Sequence, residues 1–214
     1  NDFDLVDEFV GPSTYTLFNP AANSGSTTAG GVTTTLTNLL GTRWIMTSGS
    51  NQYPILVCSA PFKNAGMRYV QFAMRFYFPL LSTDADPWEF QMGIYDSATS
   101  TNRPVSGSWI TANTNLGNAN FFLCNGTNST YNYVDTGIPM TATNWHDWAV
   151  RMTPSNSIAL YGLTPVATNS LNYPTSTYFS LFSIRMSRFM HTASAQRFIY
   201  VDNGRLRFRS GPGR

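Results

Sequence analysis

Charged residues are scarce in this chain: Asp, Glu, Lys and Arg together make up 11% of its 214 residues, while aromatic residues make up 14%. Intrinsically disordered proteins show the opposite balance, because charge-rich segments with few apolar side chains cannot form a core. A chain of this length buries about 70% of the surface that its unfolded state exposes, so it needs neither a metal ion nor a disulfide to fold. The composition therefore predicts a folded, weakly charged globule.

Lysine is almost absent. Lys63 is the single lysine among 13 basic residues, and the net charge is only +2. Seven arginines follow residue 184, with Asp202 as the one acidic residue in that part of the chain. Nucleic-acid surfaces usually combine lysine with arginine, and lysine supplies much of their salt-dependent affinity. We therefore expect no nucleic-acid partner.

Cysteine and long apolar runs are lacking too. Cys58 and Cys124 have no Cys-x-x-Cys spacing and no histidine cluster beside them, so they define neither a metal site nor a disulfide framework. Two buried thiols are expected, with one long-range disulfide as the alternative. No run of about 18 apolar residues could span a membrane, and no membrane partner is expected. The acid-containing loop 82–86 lacks the glycine and distal glutamate of a helix-loop-helix calcium site. We therefore expect no cofactor and no metal ion.

Helical periodicity is missing, while alternation with a period of two recurs, as in β-strands. Even-numbered positions are apolar in both 69–78 and 88–95 and are predicted to face the core. Segments 148–152 and 157–161 are joined by a turn-like stretch around Pro154. Weaker strand patterns occur at 3–10, 33–40, 44–47, 55–59, 121–124 and 198–202, and polar loops are predicted at 19–31 and 96–108. The pattern predicts an all-β protein, a two-sheet antiparallel β-sandwich forming a single domain over residues 1–214.

The stretch GRLRFRS (204–210) alternates arginine with apolar residues, and the start of the chain alternates acids with apolar residues in the same way. Two such strands facing one core carry their charges on the same outer face. If they pair, acids lie opposite arginines, and each pair contributes about 0.2–1 kcal/mol. A basic edge that contacts another subunit and a nucleic-acid site are the alternatives. The residues predicted to pair are Asp2, Asp4, Arg205, Arg207 and Arg209.

Three phrases resemble one family. FDLVDEFVG (3–11) is similar to the opening strand of the concanavalin A-like (lectin/glucanase) jelly-roll domains of tailed-bacteriophage virion proteins. YVDTGIPMTATNWHDWAVRMTPSNSIALYG (133–162) resembles their most recognisable stretch, and RFIYVDNGRLRFR (197–209) their closing strand. One departure is that segment 119–124 stands where many members have an asparagine-tryptophan strand, which weakens any argument for a shared ligand site.

The resemblance implies a non-enzymatic structural protein on the surface of a tailed-phage virion, assembled in the host cytoplasm. Such domains serve as capsid decoration proteins or as tail-fibre modules. The partners would be major capsid or fibre subunits, and the protein itself a homo-oligomer. The alternative is a carbohydrate-binding receptor module for host surface glycans, and polysaccharide cleavage is a third possibility, because this fold carries several unrelated functions.

No catalytic residue is predicted. Glycanases on this fold need two carboxyl groups on one face, but the strand that carries Glu89 has an amide, Gln91, where the second acid should stand. His146 and Asp147 are adjacent, and neighbouring strand residues point to opposite faces, so they are not expected to touch. His146 is interpreted as a hydrogen-bonding residue at the entry of a strand.

The outward positions of the two clearest strands combine aromatic rings, amides and one pair of opposite charges. Such a row could stack on a sugar and bind its hydroxyl groups. Burial beneath loops or a neighbouring subunit, and plain exposure, are the alternatives. The candidate residues for glycan or subunit contact are Tyr69, Gln71, Arg75, Tyr77, Glu89, Gln91 and Tyr95. Two Asn-x-Ser/Thr triplets, 125–127 and 128–130, would be a polar hairpin tip in a phage protein.

Overall fold

The computed structural model describes residues 2–7, 19–22, 36–37, 42–47, 54–63, 67–82, 89–95, 104–113, 119–174, 178–187 and 197–210. Within these ranges every regular element is a β-strand, and the strands form two antiparallel sheets. The predicted fold class, an all-β two-sheet antiparallel sandwich, is confirmed.

One sheet has eight strands: β1 (Asp2–Asp7), β3 (Leu36–Thr37), β4 (Thr42–Thr47), β6 (Met67–Tyr77), β11 (Trp145–Met152), β12 (Ser157–Tyr161), β13 (Thr164–Asn169) and β15 (Arg197–Ser210). Their order is β13-β12-β11-β6-β15-β4-β3, with β1 also paired to β15. The other sheet has seven: β2 (Asn19–Ala22), β5 (Pro54–Lys63), β7 (Glu89–Tyr95), β8 (Gly107–Asn113), β9 (Asn120–Thr127), β10 (Thr130–Pro139) and β14 (Tyr178–Ser187). Their order is β10-β9-β8-β7-β14-β5-β2.

The core lies between the sheets and is built from alternating positions, because successive side chains on a strand point to opposite faces. β6 and β7 supply its centre, as their sequence pattern predicts. Large side chains from β9, β11 and β15 complete it. The inward residues of β6, β7 and β11 are Val70, Phe72, Met74, Phe76, Phe90, Met92, Ile94, Trp148, Val150 and Met152, all at most 1% exposed.

A bulge in β15 keeps that strand's apolar residues directed inward. Val201 pairs with Phe76 and Asn203 with Arg75, so Asp202 is the extra residue between two ladder positions. The inward residues change from odd numbers before the bulge to even numbers after it, as Val201 and Leu206 illustrate. A bulge produces this change of parity because it inserts one residue into only one of the two strands.

Several strands differ from the sequence prediction. β2 lies inside the predicted loop 19–31, and β8 begins inside the predicted loop 96–108. Alternation does not predict β10, β13 or β14. For β8 the cause is visible, because Ser108 faces the core side and Thr111 the other side, yet both are buried. A strand covered on both faces shows no polar-apolar alternation.

The first and last strands pair as predicted. Asp2 lies opposite Arg209 and Asp4 opposite Arg207. The Asp4 carboxylate accepts hydrogen bonds from Arg205 Nε at 2.7 Å and from Arg207 Nη2 at 2.9 Å. These arginine hydrogen bonds lower the pKa of Asp4 from 3.8 to about 2. The alternating arginines thus form part of the fold, joined to an acidic strand about 200 residues earlier.

Replacing Asp4 with Asn is expected to lower the free energy of unfolding by about 0.5–1 kcal/mol at pH 7, the small value reflecting solvent screening of a partly exposed pair. Because the pKa of Asp4 is depressed in the folded state, its contribution is present above pH 3.8 and is lost as the pH falls toward 2. Urea titrations of both proteins at pH 7 and near pH 2 measure this. A difference that persisted at pH 2 would contradict the ion-pair origin.

The β9–β10 hairpin contains both Asn-x-Ser/Thr triplets. Asn128 and Ser129 form its two-residue turn with φ of 49° and 61°, as a type I′ turn requires. Asn125 is buried instead, and its Nδ2 donates to Asn169 O at 2.9 Å and to Leu171 O at 3.2 Å. The second triplet is therefore a polar hairpin tip, whereas Asn125 holds the segment after β13 against β9.

Candidate binding surface

The structure divides the predicted row of seven outward residues between two faces. β6 belongs to the eight-stranded sheet and β7 to the seven-stranded sheet, so their outward positions lie on opposite sides of the sandwich. Tyr69, Gln71, Arg75 and Tyr77 lie on the first face. Glu89, Gln91 and the strand position of Tyr95 lie on the second. The seven residues therefore do not form one surface.

Three polar groups of β7 and β8 on the outer face of the seven-stranded sheet are fully buried. Glu89, Gln91 and Thr111 are each 0% exposed. Gln91 Nε2 donates to Glu89 Oε1 at 2.8 Å, and Thr111 Oγ1 lies 2.9 Å from the same oxygen. Two neighbouring donors thus satisfy this oxygen, as burial of a carboxyl group requires. Glu89 is hydrogen-bonded within the protein, and solvent does not reach it.

The next position on this face of β7 cannot hold any side chain. Gly93 lies against β8, and a Cβ built on it would be 2.5 Å from both Trp109 Cα and Trp109 Cβ. Real Cβ atoms essentially never approach other atoms so closely. The described part of β7 therefore offers Glu89, an amide at Gln91 and a bare backbone at Gly93, and no second acid. Asp96 lies outside the described residues.

A layer of large side chains covers the same face beside Gly93. Trp109 and Cys124 are 0% exposed, and Tyr131 and Tyr133 pack against them. The Trp109 and Tyr131 rings meet edge to face at 5.8 Å. Cys124 is a buried thiol, so the thiol interpretation holds for it and the disulfide alternative does not; the Cys58 side chain lies outside the described residues. This layer forms a small second core where an open cleft would be needed to admit a ligand.

His146 and Asp147 point to opposite faces, as predicted. His146 is 1% exposed, its Nε2–H donates to Thr141 O at 2.9 Å, and burial lowers its pKa. Asp147 lies on the outer face, where its Oδ1 is 3.6 Å from Arg75 Nε. The two side chains therefore form no catalytic pair.

Two further features lie outside the described residues: His191, the second histidine of the chain, and residues 83–86 of the acid-containing loop 82–86. In the described ranges no three His, Cys, Asp or Glu side chains are grouped so that they could hold a metal ion. A search of the same ranges finds no helix long and apolar enough to cross a membrane.

The outer face of the eight-stranded sheet is different, because its aromatic and polar side chains are partly exposed. At one end Arg75 is held between two carboxylates, with Nη1 3.1 Å from Asp202 Oδ2 and Nε 3.6 Å from Asp147 Oδ1. Its guanidinium also lies over the Trp145 ring, 5.0 Å from the centroid. These contacts fix a planar group in one orientation at a half-exposed position.

Three aromatic rings adjoin Arg75 and are called the aromatic row below: Trp145, Tyr77 and Tyr200. They occupy paired positions on the adjacent strands β11, β6 and β15. The ring centroid of Tyr77 lies 5.6 Å from that of Trp145 and 5.5 Å from that of Tyr200. All three side chains are half-buried, which leaves part of each ring open to solvent.

The other end of this face is organised around a second arginine. Arg151 Nε donates to Gln71 Oε1 at 2.9 Å, and its guanidinium lies 4.9 Å from the Tyr69 ring centroid. Arg207 and Asp4 follow on the neighbouring strands. Both ends therefore combine arginine with aromatic rings, but only the end at Arg75 brings several rings together with two carboxylates.

No protein-family model and no curated protein sequence matches this chain. Solved structures do match. A protein of unknown function from Shewanella oneidensis has a TM-score of 0.65 at 13% identity, with 100% of this chain and 89% of that chain covered. The Bacillus licheniformis β-glucanase has a TM-score of 0.64 at 11% identity, covering 97% and 98%. A carbohydrate esterase from the Shiga toxin-encoding bacteriophage phi24B has a TM-score of 0.58 at 10% identity, covering 96% and 98%.

The fold is a concanavalin A-like jelly roll. The resemblance drawn from the sequence is thereby confirmed for the fold. At 10–13% identity the similarity shows the fold and does not establish an activity.

Sequence reasoning missed three members of the surface on this jelly roll: Trp145, Asp202 and Tyr200. The candidate residues were drawn from segments 69–78 and 88–95 alone, whereas Trp145 precedes segment 148–152 and Tyr200 lies in the weaker pattern 198–202. Asp202 is the extra residue of the bulge and reaches Arg75 on the outer face. A signal for that bulge exists in the sequence, since Val201 and Leu206 are both inward but differ in parity.

Proposed function

We propose that this protein is a non-enzymatic carbohydrate-binding module that holds its ligand on the outer face of the eight-stranded sheet. The observation that carries the proposal is the aromatic row beside Arg75, with rings half-exposed and polar groups fixed by neighbours. Aromatic rings that stack on sugars, with a few oriented polar groups, are the components of shallow glycan sites. Several solved structures of this fold are named as carbohydrate-active proteins, which supports the ligand class.

The absence of catalysis is part of the proposal. Hydrolysis of a glycosidic bond needs an acid and a second carboxylate on one face, with access for the sugar. In the described part of the seven-stranded sheet, Glu89 is buried, Gln91 is an amide, and Gly93 leaves no space for a side chain. These features favour binding without turnover.

The test is to screen the protein against a panel of soluble polysaccharides by affinity gel electrophoresis, with reducing sugar assayed in parallel. We expect retardation by at least one polysaccharide, without release of reducing ends. Glu89→Gln should leave the retardation unchanged, since Glu89 is 0% exposed. Release of reducing sugar that Glu89→Gln abolishes would instead establish an enzyme.

A second candidate is a module of a tailed-phage virion, a capsid decoration or fibre protein acting through protein–protein contacts, as a homo-oligomer bound to other virion proteins. The observation in its favour is the composition of the outer face, where arginine and aromatic residues meet, while the chain's one lysine belongs to β5 of the other sheet. Interface cores are enriched in Arg, Tyr and Trp and depleted in Lys. A phage-encoded carbohydrate esterase shares the fold.

This candidate predicts a fixed stoichiometry of the protein on purified virions, and lower heat resistance of capsids that lack it. Quantitative gel analysis of purified heads and tails, followed by heating of heads with and without the protein, measures both. A protein that is missing from purified particles would exclude the virion role and leave carbohydrate binding untouched.

A further inference from the structure

We infer that the aromatic row binds an uncharged, extended glycan that lies across the strands of the eight-stranded sheet. This inference rests on the proposed carbohydrate-binding function and adds the residues, the direction and the charge class of the ligand.

The direction follows from the strand register. Trp145 pairs with Tyr77 across β11 and β6, and Tyr77 pairs with Tyr200 across β6 and β15. Neighbouring strands are about 4.8 Å apart, so rings at paired positions form a line perpendicular to the strands. The centroid spacings of 5.6 and 5.5 Å make the three rings one continuous line, with planes tilted by 49° and 71° to each other, so a ligand along it meets ring faces and ring edges.

The line is open at the β12 end. Gly162 N–H donates to Asp147 O at 2.8 Å, which holds the β12–β13 turn beside Trp145's strand. Leu163 in that turn is 91% exposed, so the described part of the chain leaves this end of the sheet uncovered. A ligand longer than the row can therefore extend past Trp145 over this turn.

The charge class follows from the groups around the row. Two carboxylates, Asp147 and Asp202, surround one guanidinium, Arg75, among the side chains that the structure describes there. Beside the row this leaves a local excess of one negative charge, which disfavours sulfate and uronic-acid groups at these rings, whereas Arg151, Arg205 and Arg207 lie farther along the same face. Carboxylate oxygens are acceptors only, and sugar hydroxyl groups are donors that suit them. The side chain of Asp147 is 57% exposed, so it is available to a ligand.

The same carboxylates favour a glycan over a protein as the ligand of the aromatic row. Interface cores in protein complexes are depleted in Asp, whose desolvation is costly. A hydroxyl-rich ligand replaces the water around Asp147 with hydrogen bonds of the same kind. Arg75 is already fixed by Asp202 and by Trp145, so little side-chain entropy is lost on binding.

The experiment measures binding of the full chain to two soluble probes, an uncharged mixed-linkage β-glucan and the anionic polymer alginate, by affinity electrophoresis and calorimetry. The key pair of variants is Tyr77→Ala and Tyr69→Ala. Both lie on the outer face of β6, eight positions or about 26 Å apart. We expect Tyr77→Ala to weaken binding of the uncharged probe about tenfold, and Tyr69→Ala to change it less than about twofold.

A second variant guards against loss of folding. Asp147→Asn removes charge without removing a ring, and circular dichroism checks that each variant is folded. We expect it to raise the affinity for alginate and to weaken binding of the uncharged probe about threefold, because a neutral amide replaces the carboxylate that accepts from sugar hydroxyl groups.

The outcomes separate the inference from the function on which it rests. Loss of glycan binding in Tyr77→Ala, with binding by Tyr69→Ala unaffected, supports the aromatic row as the binding site. Glycan binding that is indifferent to Tyr77→Ala, or that favours alginate in the unmodified protein, overturns the inference and leaves carbohydrate binding standing. Failure to bind either probe or any polysaccharide of the wider panel overturns the proposed function itself.

Discussion

Gly93→Ala is expected to lower the free energy of unfolding by at least about 3 kcal/mol, at the upper end of what overpacking a core costs. The added Cβ would lie 2.5 Å from Trp109 Cα. Relief cannot come from a rotamer change, because the atoms in the way are backbone and Cβ atoms of β8. Separating β7 from β8 would in turn strain the pairing of Gly93 with Trp109 in the middle of the seven-stranded sheet. Urea denaturation measures the loss.

The matched control is Gly162→Ala. Gly162 has a φ of +62°, and a Cβ added there would meet nothing within 4 Å, so this change introduces backbone strain but no clash. We expect it to cost about 1 kcal/mol. Equal urea midpoints for Gly93→Ala and the unmodified protein would show that β7 and β8 are not in close contact. β7 would then have space for a second acidic side chain at position 93.

Gly93 also explains why the face that carries Glu89 differs from a hydrolytic cleft. A strand that presents acids at alternate positions needs a Cβ at each of them. In β7 position 93 has no Cβ, and Trp109 packs closely against the backbone there. Trp109 in turn contacts Tyr131 and, with Cys124, forms the small second core. The packing of Trp109 against Gly93 therefore has two effects: β7 cannot carry an acid at position 93, and the face above it is covered.

Alternation in the sequence predicts which side of a strand faces the core, but not which sheet the strand joins. Phe76 and Phe90 face the core as predicted, and their rings meet at 4.4 Å. Tyr77 and Glu89, the neighbours of these residues, point away from the core on opposite sides of the sandwich. Phe76 and Phe90 meet between the two sheets. The outward residues of β6 and those of β7 therefore lie on opposite outer faces.

The pairing of β1 with β15 was predictable because each strand carries charges of one sign on its outward positions. Asp4 between Arg205 and Arg207 is the result. The aromatic row was not predictable in the same way. Tyr200 comes before the bulge at Asp202, and only its pairing with Tyr77 places it beside the rings of two other strands. Register between strands so far apart in the chain is a tertiary property that local patterns do not encode.

Acidification just below pH 6.5 is expected to reduce the free energy of unfolding by up to about 1.4 kcal/mol per pH unit because of His146. Its Nε2–H donates to Thr141 O, and Nδ1 lies 3.5 Å from the Tyr161 hydroxyl, which donates to it. The rings of Phe76 and Phe121 lie 5.8 and 5.0 Å away. A proton on Nδ1 would put charge among these rings and displace the tyrosine donor.

The sign follows from the direction of the pKa shift. Burial lowers the pKa of His146 below 6.5, and the hydrogen bond to Thr141 O and the charge of Asp147 oppose this without cancelling it. The unfolded chain therefore takes up the proton first, and stability falls from pH 6.5 down to the lowered pKa. Asp4 stabilises the folded state above pH 3.8 and adds to the pH dependence only below that value, where its contribution is lost.

His146→Gln is expected to remove this slope, since an amide keeps a donor for Thr141 O and does not titrate. The matched control is His191→Gln, which replaces the other histidine of the chain. Urea midpoints at half-unit steps between pH 7.5 and 4.5 give the slope for each protein. If His146→Gln keeps the slope and His191→Gln abolishes it, the proton is taken up at His191, and the end of the core beside β11 tolerates acid.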